Sequence, residues 1–144
     1  MKAYALYGIN DLRMEERAVP SPGAGQALVQ VKAVGICGSD IPRIFQTGTY
    51  SFPTVPGHEF SGVVAAVGAG VGAEWAGRRV GVFPLIPCRK CSPCLQKHYE
   101  LCRNYSYLGS RTDGGFAEYV LAPRECLIAL PEGISFEAAA MLEP

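Results

Sequence analysis

Residues 27–34 read Ala-Leu-Val-Gln-Val-Lys-Ala-Val, and Cys37-Gly38-Ser39-Asp40 follows after a short gap. Val29, Val31 and Ala33 fall on one side of an extended chain, with Gln30 and Lys32 on the other. That is the two-residue period of a strand with one buried face. Outward from it, residues 3–7 and 12–17 flank a Gly-Ile-Asn-Asp turn. Residues 60–67, 79–83 and 116–121 read as further strands, with a short one at 128–130. Seventeen glycines and eleven prolines in 144 residues supply the turns between them. The expected class is mainly β with short helices, in the manner of a small barrel or sandwich.

Two short helices are expected. One opens at Ser39 or Asp40, whose side chains suit free N–H groups, and runs to about Phe45 with Pro42 in its first turn. The other follows Ser135, with Glu137 in its first turn and an alanine run behind it.

Composition limits what such a fold can do. A hydrophobic fraction of 49% and a charged fraction of 18% suit one packed domain over residues 1–144. Thirteen basic residues balance thirteen acidic ones, which leaves no long-range pull on nucleic acid or an anionic membrane. No apolar run approaches the ~20 residues of a membrane span. Met1 to Leu6 runs directly into Gly8 and Asn10-Asp11, without the apolar segment of a signal peptide. The expected location is the cytoplasm, where cysteines stay reduced.

Cys88, Cys91, Cys94 and Cys102 are spaced C-x2-C-x2-C-x7-C. Four thiolates at short spacing converge on one point and make a closed tetrahedral zinc site, with no position for substrate. Disulfides are cramped at these spacings and do not suit a reducing compartment; an iron–sulfur cluster uses the same four ligands. Four thiolates and Zn²⁺ leave a net charge of about −2, and Arg89, Lys90, Lys97 and Arg103 stand ready to offset it. His98 reads as a solvated loop residue.

A second constellation begins at Cys37 and resumes with Gly57-His58-Glu59. Thiolate, imidazole and carboxylate are three good zinc ligands, and a fourth position open to water or substrate would make the site catalytic. Glu143 offers a second carboxylate, directly or through water, and Asp40 is placed to orient His58. Read alone, the set equally suits a core cysteine and a Gly-His-Glu turn.

Taken together, these pieces resemble the zinc-containing medium-chain dehydrogenases. The likeness rests on Gly35-Ile36-Cys37-Gly38-Ser39-Asp40, Pro56-Gly57-His58-Glu59-Phe60-Ser61-Gly62, the four-cysteine loop and Asp113-Gly114-Gly115-Phe116-Ala117-Glu118-Tyr119, whose order and spacing match along the whole chain. Cys37-Gly38-Ser39-Asp40 and Leu142-Glu143-Pro144 resemble the polyol branch, the sorbitol dehydrogenase relatives. Ser39–Phe45, Pro84–Cys88 and Gly109–Asp113 narrow the likeness to the galactitol-1-phosphate 5-dehydrogenases within that branch.

The resemblance implies a GroES-like β-barrel catalytic domain, with a Rossmann domain that binds NAD or NADP lying outside this chain. It implies two zinc ions: a catalytic one on Cys37, His58, Glu59 and Glu143, and a structural one on the four cysteines. The complete enzyme would oxidise a secondary hydroxyl of a polyol or sugar-alcohol phosphate to a ketone, as a homo-oligomer. In the family the position of Ser39 relays the substrate proton, and Ser39 or a water on Glu143 would do so here; as a bare residue Ser39 equally suits a helix cap. Arg43 and Arg111 are candidates for a substrate phosphate, and Tyr50 and Phe116 for the pocket wall, though each also suits a surface or core role.

The chain stops directly behind an apolar helix, so a truncated frame is expected, inactive on its own. The competing reading is a zinc-binding module with its open site unused. Gly68-Ala69-Gly70-Val71-Gly72 resembles a dinucleotide loop, but too little chain follows for a crossover helix, and it reads as a turn. Cys126 is expected to be buried and apolar in role, and Tyr99, Tyr105 and Tyr107 to pack the cysteine loop.

Overall fold

The structure, a computed structural model, describes residues 1–142. Strands β1 (Lys2–Gly8) and β2 (Asp11–Glu16) form an antiparallel hairpin. Strand β3 (Gln26–Val34) leads into a one-turn helix, α1 (Asp40–Pro42). Then come β4 (Phe60–Val67), β5 (Arg79–Val82), β6 (Leu85–Ile86), α2 (Ser92–Leu95), β7 (Ser106–Tyr107), β8 (Tyr119–Pro123), β9 (Leu127–Ala129) and α3 (Phe136–Ala140). The main sheet has the order β8-β3-β4-β5-β9, antiparallel throughout. The strands β6 and β7 pair separately. The mainly β expectation holds.

The sheet forms because its strands supply a continuous apolar layer. Val29, Phe60, Val64, Val80, Val120 and Leu127 are all buried in one core cluster. Strand β4 passes close enough to β3 that a Cβ on Gly62 would lie 2.1 Å from the Gln30 carbonyl oxygen, so glycine is required there. Helix α3 contacts β3, β4 and β5. Ser135 caps it by accepting the Ala138 N–H at 3.1 Å, and the Ser61 hydroxyl donates to the Phe136 carbonyl at 2.6 Å.

Four expectations change. The alternation in β3 is broken by register shifts at Leu28/Val29 and Val31/Ala33, so Ala27, Leu28 and Val29 are buried in succession. Strand β8 begins at Tyr119, not at 116; Phe116 and Ala117 instead meet β1, with the Tyr4 N–H donating to the Phe116 carbonyl at 2.8 Å. Neither Ser39 nor Asp40 caps α1. Ser39 already has helical φ and ψ, −75° and −17°, and makes no side-chain cap, while Asp40 turns back to the Cys37 N–H. Beyond Pro42 the chain continues as a π-helical turn over Arg43–Thr47.

Residues 68–72 are the expected turn, with Gly70 at φ 80°, and Trp75 after it packs into the core. Among the described residues no helix is long and apolar enough to cross a membrane.

Candidate metal centres and substrate cavity

The Sγ atoms of Cys88, Cys91, Cys94 and Cys102 lie within 4.8 Å of one another, and none of these cysteines is in a disulfide. Short elements achieve this. The pairing of β6 with β7 closes the base of the loop, and left-handed turns at Arg89 (φ 60°) and Lys97 (φ 65°) redirect the chain between sulfurs. The Cys88 N–H donates to Cys102 Sγ at 3.2 Å. Backbone N–H groups of Arg103 and Cys94 bring the Cys91 thiol down to about 6, whereas burial pushes Cys94 up to about 12. The geometry and donor set fit a tetrahedral zinc ion, which stabilises all four thiolates. Of the expected counter-charges, Arg89 pairs with Glu125 at 3.3 Å and lies over the Tyr99 ring. His98 is solvated beside Glu100, as expected. Cys126 is fully buried and donates to the Leu85 carbonyl; burial pushes its thiol up to about 12.

Cys37, His58 and Glu59 also bring their donor atoms within 4.8 Å of one another. Cys37 follows β3, and His58 and Glu59 immediately precede β4. His58 and Glu59 are each 4% exposed, whereas Cys37 is half-buried, so the centre opens on the cysteine side. The chain can approach this closely because residue 35 is glycine: a Cβ there would stand 2.4 Å from Glu59 Oε2.

Two observations fit a cation. His58 Nδ1 is buried without a hydrogen-bond partner. No hydrogen bond or ion pair reaches the Glu59 carboxylate among the described residues, so its oxygens are free to join a cation. Asp40, fully buried, accepts the Cys37 N–H at 3.0 Å and stands 3.6 Å from His58 Nδ1, beside the imidazole but beyond a direct hydrogen bond. Glu143, the expected further ligand, lies outside the described residues.

A cavity of about 350 Å³ begins at Ser39, two residues beyond Cys37. Ser39, Arg43, Thr49 and Tyr50 line it. The Ser39 N–H donates to Cys37 Sγ at 3.4 Å, tying the cavity wall to the centre. The Arg43 guanidinium is 2.6 Å from Asp40 Oδ1. Arg43 thus takes a salt-bridged role, with a buried partner that the spacing Asp40-x-x-Arg43 on a helix signals.

Arg111 stands behind Tyr50, over its ring at 3.9 Å and over Tyr105 at 4.4 Å. The Arg111 guanidinium holds the Tyr105 hydroxyl below the usual tyrosine range. Tyr105 and Tyr107 meet edge to face at 6.5 Å, and Tyr107 meets His58 the same way at 5.8 Å. These tyrosines therefore do more than pack the cysteine loop. Phe116 is elsewhere. It packs beneath Gly57 and lines a larger apolar groove of about 570 Å³ with Tyr4, Val31 and Ile36, which holds none of the ligating side chains.

Residues 23–132 match the model of the alcohol dehydrogenase GroES-like domain. The galactitol 1-phosphate 5-dehydrogenase of Escherichia coli K12 is 42% identical over 134 residues, which cover 92% of this chain and 39% of that one. The crystal structure of the short chain alcohol dehydrogenase RspB from E. coli CFT073, complexed with cofactor NADH, superposes with a TM-score of 0.93 at 39% identity, covering 98% of this chain and 41% of that one. A cobalt- and zinc-bound thermostable alcohol dehydrogenase from Pyrobaculum aerophilum gives 0.90 at 30% identity, over 99% of this chain and 44% of that one. The chain thus spans about two-fifths of the length of the relatives it matches.

Proposed function

Because the chain belongs to the alcohol dehydrogenase GroES-like domain family, we propose that residues 1–144 are the metal- and substrate-holding domain of a zinc- and NAD(P)-dependent polyol dehydrogenase. The full-length enzyme oxidises a secondary hydroxyl of a polyol or polyol phosphate to a ketone, with the nicotinamide bound outside this chain. The observation that carries this reading is the Cys37, His58 and Glu59 cluster, joined to the cavity residue Ser39 by the Ser39 N–H to Cys37 Sγ contact. The likeness to a galactitol 1-phosphate 5-dehydrogenase supports the substrate class. Two zinc ions per chain, cytoplasmic location and homo-oligomeric assembly belong to the same proposal.

Cys37, His58 and Glu59 would hold the catalytic zinc, with Glu143 as a further carboxylate ligand or through water. A zinc ion there supplies Lewis acidity, which lowers the pKa of the substrate hydroxyl. The chain's own residues do the rest. Ser39 is exposed to the cavity, and its hydroxyl both accepts and donates, so it takes the hydroxyl proton and passes it to solvent. Arg43 neutralises Asp40, which in turn fixes the backbone of Cys37. Burial of His58 and Glu59 keeps water off the closed side of the centre.

Elemental analysis of the chain purified under reducing conditions tests the proposal. Two zincs per chain, falling to one in Cys37→Ser, are expected. One zinc, unaffected by Cys37→Ser and lost only on unfolding, would leave the four-cysteine loop as the only site this chain fills. It would favour a zinc-binding module.

A further inference from the structure

We propose that Arg111, held over the rings of Tyr50, which lines the cavity, and Tyr105, seats the phosphate group of the substrate and sets a preference for a polyol phosphate over the free polyol. The proposal rests on the cavity being the polyol site.

Two arginines stand near that cavity, and the structure separates their roles. Arg43 is committed: it lies 2.6 Å from a fully buried carboxylate, which would lose its counter-charge if the guanidinium turned to an anion. Arg111 is exposed and has no carboxylate partner among the described residues. Two aromatic faces hold it instead, at 3.9 and 4.4 Å. Aromatic rings attract a cation without neutralising it. The guanidinium is therefore held in place by two tyrosines with no carboxylate to neutralise it among the described residues, and its planar fork suits bidentate recognition of a phosphate.

The platform is tied to the reaction centre. The Thr49 hydroxyl donates to the Ser110 carbonyl at 2.6 Å, joining the Tyr50 segment to the Arg111 turn. The Arg111 N–H donates to the Tyr107 carbonyl at 2.9 Å, and the Tyr107 ring abuts His58. One wall thus runs from the metal ligand His58 through Tyr107 to Arg111. Arg43 neutralises Asp40, the carboxylate 3.6 Å from His58 Nδ1, so that charge does not oppose an incoming anion.

The same chemistry would also take free phosphate, so the test separates the two sources. The zinc-loaded chain is titrated with a hexitol, its 1-phosphate and inorganic phosphate, following arginine side-chain and backbone NMR signals. The expected result is that the ester binds roughly tenfold or more tightly than the free hexitol. It should move the signals of both Arg111 and Ser39, and Arg111→Met should abolish the preference while Arg111→Lys keeps part of it. If Arg111→Met fails to fold, the wild-type Arg111 signal and Arg111→Lys decide the matter.

Equal binding of hexitol and ester, with the Ser39 signal moving for both, would overturn the phosphate seat and leave the polyol reading standing. Ester and inorganic phosphate moving Arg111 alike, with Ser39 unmoved by either and by the free hexitol, would overturn both.

Discussion

Asp40 has its carboxylate fully buried between the Cys37 N–H at 3.0 Å and the Arg43 guanidinium at 2.6 Å. It therefore fixes how Cys37 presents its sulfur, and it stands beside the His58 imidazole. Residues supporting a ligand in this way typically change metal affinity by about 10–100-fold when replaced. Asp40→Asn should weaken zinc binding at Cys37, His58 and Glu59 by that order, leaving the ion on the four cysteines in place. Competition with a chromogenic chelator, which reads two sites of differing affinity, checks this. At this scale the clustering of the four cysteines was legible from their short spacings, whereas that of Cys37 with His58 and Glu59, twenty-one residues on, was legible only through the family resemblance. The Tyr50, Arg111 and Tyr105 stack was not, because its members come from two separate segments and no local pattern announces such a contact.

Among the elements, the four-cysteine loop has the least to hold it together. Helix α2 is four residues long and buries only Cys94, and the β6–β7 ladder pairs two residues with two. Such a segment cannot repay its conformational entropy by apolar burial, and the zinc ion proposed for it would supply the difference. Removing zinc with a strong chelator, or replacing Cys91 with Ser, should open the loop to trypsin at Arg89, Lys90, Lys97 and Arg103. The main sheet should keep its far-ultraviolet circular dichroism. Cleavage outside residues 88–103 at the same rate would show that the loop has no separate stability. The longer strands were legible from their apolar pattern. The start of β8 was not, because Phe116 and Ala117 are as apolar as a strand requires yet pair with β1 across the chain. Two-residue strands such as β6 and β7 carry too few side chains to show any period.

For the molecule as a whole, Phe60 is the largest fully buried side chain among the described residues, and it directly follows the two proposed ligands His58 and Glu59. Phe60→Ala should cost about 3–5 kcal/mol of stability, read by urea denaturation of the metal-loaded chain. It should also weaken the metal centre beside it, whereas a cavity cut elsewhere in the core, such as Leu127→Ala, should lower stability with less effect on that centre. The mainly β class was legible in the sequence, but the strand order β8-β3-β4-β5-β9 was not, because alternation shows that a strand exists without naming its neighbours. That order has a further consequence. Val34 at the end of β3 pairs with Phe60 at the start of β4, and the ligands stand just past those two ends. A slip of one residue between the strands would displace Cys37 by about 3.3 Å from His58 and Glu59, while a zinc site tolerates errors of about 0.2 Å in its bonds. A zinc ion bound there would be a vernier on the sheet: a chain that holds it has β3 and β4 aligned to within a fraction of a residue.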